Sequence, residues 1–193
     1  KKQPGFGHVH RINSDTISTI NDIIQQAKRG DIIEISAGEY HLSKSIHFSG
    51  RRDLTLRGSG PVRLILDDLS AQVIYIGSSR DISIEGISAT HRRTPENTCS
   101  GAVVTIWSSS HISISDCELD GCGIFGIHSV NSGNLLVQHC HIHHNTQAAF
   151  NIQNSSTVHI SGCRIEHNPV LFFNHGNTPP EGVRLEHCTI DNR

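Results

Sequence analysis

The chain has 193 residues, a formal net charge of -2 and only 5% aromatic residues. This length holds one domain with a sizeable core, and the near-neutral charge argues against a nucleic-acid or anionic-membrane surface, which needs a basic excess. No apolar run is long enough to cross a membrane as a helix.

Histidine is over-used, at 15 residues against 16 Lys plus Arg, so mild acid would turn the surface positive. Methionine is absent, which predicts a processed or excised piece. Residues 1–13 (KKQPGFGHVHRIN) are polar and expected to fray. Within 14–30, Ile17, Ile20, Ile23, Ile24 and Ala27 fall at helical spacing, with Ser14 or Asp15 as N-cap and Gly30 as a stop. A short amphipathic helix there would cap a β-solenoid, whose bare end would otherwise pair with other chains.

Residues 31–193 repeat. HISISDCELDGC from His111, NLLVQHCHIHHN from Asn134, TVHISGCRIEHN from Thr157 and GVRLEHCTIDNR from Gly182 align, with Ile112, Leu135, Val158 and Val183 in steps of 23, 23 and 25. DISIEGIS from Asp81 and DLTLRGSG from Asp53 match upstream, Leu54, Ile82 and Ile112 being spaced by 28 and 30. Each copy alternates apolar and polar residues, the two-residue period of a strand. A second strand signal precedes most copies, as in QVIYI, AVVTI, FGIH and AAFNI, and Gly, Asn and Ser mark the junctions. Several short strands per unit of about 23 residues predict an all-β, right-handed parallel β-helix in one domain, capped by the helix. The chain stops inside a repeat at Ile190–Arg193. That open rung predicts further chain, or another protomer, to complete it.

A helix followed by GDIIEISAGEYHLSKSIHFSG and DLTLRGSG resembles the opening of the pectate-lyase-like superfamily of parallel β-helix proteins, and the likeness covers nearly the whole chain. The resemblance implies a polysaccharide or glycan partner and a secreted, periplasmic or cell-surface location. It implies no single activity, since the superfamily spans lyases, glycoside hydrolases, uronate epimerases and non-enzymes. Its active-site motifs do not carry over. Lysine occurs only at Lys1, Lys2, Lys28 and Lys44, so the Lys-plus-Arg pair of several lyases has no match. Asp67-Asp68 is the only Asp pair, and the calcium-binding Asp cluster of pectate lyases is missing.

Stacked rungs align residues into columns. An inward column of Ile87, Cys117, Cys140, Cys163 and Cys188 reads as small buried thiols, because no Cys-x-x-Cys spacing suits zinc. Cys99 and Cys122 lie in loops, joined or free. At a turn, Cys122, Asn145 and Asn168 form a hydrogen-bonding stack. An outward column reads His47, Tyr75, Thr105, His128, Asn151 and Asn174, opposite inward Ile46, Ile74, Val104, Ile127, Phe150 and Phe173. These are groups that bind sugars. Trp107, further along the same side, either stacks on a sugar ring or packs beneath the adjoining loop.

The loop Thr90–Gly101 breaks the period and carries His91, Arg92, Arg93 and Glu96. Insertions in solenoids often build the binding face, and paired arginines suit a uronate carboxylate. His139, His141 and His143 alternate outward, which suits a divalent metal such as zinc, the one cofactor the sequence suggests. The other reading is a solvated face paired with Asp116, Glu118, Asp120 and Glu166. As an enzyme the chain reads as a lyase or C5-epimerase on an acidic polysaccharide. Arg92 or Arg93 would neutralise the carboxylate, His128 would act as base and Tyr75 as acid, with His47, Thr105, Trp107, Asn151, Asn174, His91 and Glu96 holding substrate. A glycan-binding module and a structural or adhesive β-helix segment are the alternatives.

Overall fold

A computed structural model describes residues 7–92, 99–121 and 123–192. The chain opens with β1 (Val9–Ile12), a 3-10 turn (Ile17–Thr19), α1 (Ile20–Gln26), β2 (Ile32–Leu42), β3 (Ile46–Ser49) and the long β4 (Arg52–Leu66). Rungs of three strands follow: β5 (Ile74–Gly77), β6 (Arg80–Glu85) and β7 (Ser88–His91), then β8 (Val104–Trp107), β9 (Ser110–Ser115) and β10 (Glu118–Asp120). The next are β11 (Phe125–Val130), β12 (Gly133–Gln138) and β13 (His141–His143), then β14 (Ala148–Gln153), β15 (Ser156–Ser161) and β16 (Arg164–Glu166). The last rung keeps only β17 (Val183–Glu186) and β18 (Thr189–Asp191).

Among the described residues every strand pairs in parallel with its counterpart one rung away, so the chain is a parallel β-helix with three faces. The register follows the repeat: Ile82, Ile112, Leu135, Val158 and Val183 are successive partners. Ile84, Ile114, Val137 and Ile160 form a second inward column, and Leu64, Ala89, Leu119, Ile142 and Ile165 line the next face, all buried. Together they fill one continuous core along the axis.

The corners explain part of the histidine excess. Each short turn needs one residue with positive φ, where Asn, Asp and His are the usual non-glycine occupants. Gly86, Asp116, His139, Gly162 and His187 take that role at one corner, between φ 51 and 63. His111, His144 and His167 do so at others.

Two side-chain ladders brace the remaining corners. Asn145 donates from Nδ2 to Asn168 Oδ1 (2.9 Å), and Asn168 from Nδ2 to Asn192 Oδ1 (3.2 Å). The backbone amides of Ser79, Ser109 and Ser132 each donate to the serine hydroxyl one rung on, Ser109, Ser132 and Ser155, at 3.0–3.2 Å. The serine ladder follows the repeat, with steps of 30, 23 and 23 residues, but alternation alone does not single it out. Cys117, Cys140, Cys163 and Cys188 carry free thiols, each donating to the carbonyl two residues earlier, whereas Cys99 is disulfide-bonded. Cys122 lies outside the described residues.

Three expectations are corrected. Val9–Ile12 do not fray but form β1, paired in parallel with Ile32–Ile35. Asp31 anchors this entry, accepting from His8 N (2.9 Å), His10 Nε2 (2.9 Å) and Lys28 N (2.8 Å). The helix is shorter than 14–30: only Ile20–Gln26 are α-helical, burying Ile20 and Ile24. Asn174 does not join the outward column. Phe150 pairs with Phe172, so the register places Phe173 beside Asn151 and leaves Asn174 in a turn at φ 64.

Candidate functional site

The first candidate surface is the outer side of the β3–β5–β8–β11–β14 sheet. Parallel register stacks His47, Tyr75, Thr105, His128 and Asn151 in one column, as the alternation predicts. Its two ends differ. At the β3 end His47 is exposed, and its ring lies 5.3 Å from that of Tyr75. The Tyr75 ring lies across Gly77, where an added Cβ would meet it at 2.5 Å. Gly77 is the register partner of Trp107, which is 45% exposed. His47, Tyr75 and Trp107 thus lie on three adjacent strands, with the Tyr75 ring over the residue that pairs with Trp107. The exposure of Trp107 does not fit the expectation that it packs beneath the adjoining loop.

The other end is covered. Phe125 packs against Phe173 (5.1 Å between ring centroids) and His128 (5.4 Å). With Ala102 and Ala148 these rings form a small second apolar cluster. Thr105 and Asn151 are only 5% and 4% exposed, so neither presents the open sugar-binding group that alternation suggests. Burial lowers the pKa of His128 and keeps the ring neutral. His128 Nε2 and Thr105 Oγ1 are buried without a hydrogen-bond partner among the described residues.

The interrupting loop is described only at its ends. His91 is 1% exposed, and its Nε2 lies 2.8 Å from the Ala71 carbonyl. It braces the loop and cannot reach a substrate, which corrects its expected binding role. Arg92 is exposed, with its guanidinium 3.6 Å from the Asp67 carboxylate. Arg93 and Glu96 lie outside the described residues.

The second surface is the β4–β7–β10–β13–β16 sheet, where outward Arg63, Ser88, Glu118, His141 and Arg164 form one column and Thr90, Asp120, His143 and Glu166 the next. His141 and His143 stack with ring centroids 3.9 Å apart. Glu118 Oε1 lies 3.2 Å from His143 Nε2 and 4.0 Å from His141 Nδ1. Burial works to raise the Glu118 carboxyl, but the Ser88 hydroxyl (2.7 Å) and His143 outweigh it and hold it low. His139 is not part of this cluster. Its φ of 51 breaks the strand alternation, leaving the ring exposed near Asp116. Of the three histidines expected together, the structure brings His141 and His143 side by side and leaves His139 apart. Glu118, one rung back in the same column, lies beside this pair. A cleft of about 720 Å³ opens beside Glu118, lined also by Glu39, Arg63, Ser88 and Asp116.

Among the described residues, no helix is long and apolar enough to cross a membrane. No curated protein matches the sequence. Solved structures share the fold at low identity. A PL6 family alginate lyase, AlyGC, aligns over 100% of this chain and 30% of its own, at 17% identity and TM-score 0.68. The catalytic domain of a GH87 α-1,3-glucanase aligns over 98% and 38%, at 16% and 0.64. The pectate lyase Pel9A aligns over 87% and 50%, at 11% and 0.61. The chain thus spans half or less of the length of these three enzymes. The family described as "Right handed beta helix region" matches residues 62–193, the stretch in which the three-strand rungs repeat. Coil and sequence agree, and the chain belongs to the right-handed β-helix family.

Proposed function

We propose that this protein is carbohydrate-active and binds an acidic polysaccharide along the β3–β5–β8–β11 face. The observation that carries this reading is the placement of His47, Tyr75 and exposed Trp107 on adjacent strands. Aromatic rings on adjacent strands offer stacking platforms for pyranose faces, and an exposed Trp on a rigid sheet costs little to order on binding. The fold's likeness to an alginate lyase and a pectate lyase supports a uronate polymer, and hence an exported location. Arg92 is the carboxylate clamp in this reading, with Arg93 beside it in sequence.

The chemistry we assign is lyase or C5-epimerase. Tyr75 and His128 flank Thr105 in the column, two rungs or about 9.6 Å apart at Cα, which brackets one sugar unit. His128 stays neutral and can accept the C5 proton. Burial of its Nε2 leaves Nδ1 as the accepting atom. Tyr75 carries the proton for the leaving oxygen or for the opposite face of C5. A second reading, glycan binding without chemistry, is favoured by the cover that Phe125 and Phe173 place over the His128 end.

The test incubates the protein with polymannuronate, polyguluronate and polygalacturonate. Ultraviolet absorbance of unsaturated product reports elimination, and solvent deuterium at C5 reports epimerisation. Signal lost in His128→Ala and Arg92→Ala supports the enzyme. Binding that depends on Trp107 without either signal leaves the binding module. Neither signal nor binding rejects both readings.

A further inference from the structure

The cluster on the β10 and β13 strands has an organisation that surface ion pairs do not need. We propose that Glu118, His141 and His143 form a binding site for a divalent cation of the zinc class, independent of the glycan face. One ligand atom from each residue lies within 4.8 Å of the other two. Ligands bound at about 2.0–2.2 Å to one tetrahedral ion stand roughly 3.3–3.5 Å apart. The 3.2 Å from His143 Nε2 to Glu118 Oε1 fits, and the 4.0 Å from His141 Nδ1 closes with a small side-chain rotation.

The outer contacts choose the ligand atoms. His141 Nε2 sits 2.9 Å from Glu166 Oε1, which holds the proton on Nε2 and frees Nδ1 for the ion. His143 Nδ1 sits 3.4 Å from Asp120 Oδ1 and 2.6 Å from His144 Nδ1, and with its proton on Nδ1 toward these two groups Nε2 is the atom left for the ion. Ser88 donates to Glu118 Oε2 at 2.7 Å and fixes the carboxylate with Oε1 inward. Each imidazole thus has a ligand nitrogen and a carboxylate at its other nitrogen, the arrangement that orients metal-bound histidines. Arg164 occupies the far side of Glu166 at 2.8 Å, and Arg63 reaches Asp120 at 3.9 Å, so these outer carboxylates are balanced without the cation. His143 is 8% exposed, which shields it from competing water.

Three protein ligands leave a coordination position for water or another oxygen ligand. Glu118 and Ser88 also line the 720 Å³ cleft. Nitrogen and oxygen donors of this kind select zinc, cobalt or nickel over calcium or magnesium.

The test uses the full chain, stripped with a chelator and titrated with Co²⁺ and then Zn²⁺. The expected result is one Co²⁺ per chain, with the intense visible d–d bands of a four-coordinate ion, no thiolate charge-transfer band, and displacement by Zn²⁺. His141→Ala and Glu118→Gln should abolish stoichiometric binding, and Glu166→Gln should weaken it about 10–100-fold. His139→Ala, outside the cluster, should leave it unchanged. His141 and Glu118 are part-exposed, so both variants are expected to fold, which circular dichroism checks. Absent stoichiometric binding, a thiolate band, or full binding in His141→Ala would each overturn the proposal.

Discussion

Replacing Asn168 by Ala tests how the corner ladder holds the rungs. Asn168 is 2% exposed, and its Oδ1 accepts from the Asn145 backbone amide (3.1 Å) and Asn145 Nδ2 (2.9 Å). Its Nδ2 donates to the Glu166 carbonyl (2.9 Å), the Ile142 carbonyl (3.1 Å) and Asn192 Oδ1 (3.2 Å). Alanine strands the buried Asn145 amide and deprives the Glu166 carbonyl. Each stranded buried group costs about 1–3 kcal/mol, so Asn168→Ala should lose about 2–4 kcal/mol. That is a large share of a typical domain's stability. Urea unfolding should show a lower midpoint with an unchanged slope. Native-state hydrogen exchange should show the Asn145 amide losing protection first. Thr178→Ala, at an exposed position, should stay within about 0.5 kcal/mol of the parent. A loss below about 0.5 kcal/mol in Asn168→Ala would refute the ladder's assigned role.

Asp31 predicts behaviour in acid. Burial works against its charge, but bonds from His10 and the Lys28 and His8 amides prevail and lower its pKa from 3.8 to about 2. The stability it contributes is present above pH 3.8 and lost as pH falls toward about 2. Asp31→Asn should lower the unfolding midpoint at neutral pH and flatten that acid limb. His47, His91, His128 and His143 shift the other way from an exposed imidazole: burial lowers each from 6.5. The unfolded chain then takes up protons first, so stability should decline as pH drops below 6.5, and His91→Gln should reduce the slope measured by pH-dependent denaturation. Gly77→Ala inserts a methyl where the Tyr75 ring lies. It should weaken glycan binding in calorimetry while leaving the urea midpoint nearly unchanged.

What was legible in the sequence was everything set by alternation and period. Ile82, Ile112, Leu135, Val158 and Val183 are partners because each must bury one face on its neighbour, and a slip of one residue would expose them all. Positions where the backbone leaves the strand were not legible. His139 looks outward by parity, but the positive φ that the corner demands points it away from His141 and His143. Asn174 follows the same logic: the Phe172–Gly176 bridge folds the chain back on itself and shifts Phe173 into the column. Cover from distant segments was equally hidden. Thr105 and Asn151 face outward by parity yet are buried, and Phe125 packs on Phe173 and His128 at that end. Glu118 was visible as a column neighbour of His141, but a run of histidines drew the metal assignment to residues adjacent in sequence rather than across rungs.

The most direct test of the central claim is calorimetric titration of the parent and Trp107→Ala with uronate oligosaccharides. Trp107 is 45% exposed and supports little core, so the variant should match the parent in urea unfolding. The account predicts saturable binding to the parent and about tenfold or weaker affinity in Trp107→Ala, the scale of one lost aromatic stack with its buried area. Equal affinity in the two proteins would place the glycan elsewhere and contradict the account.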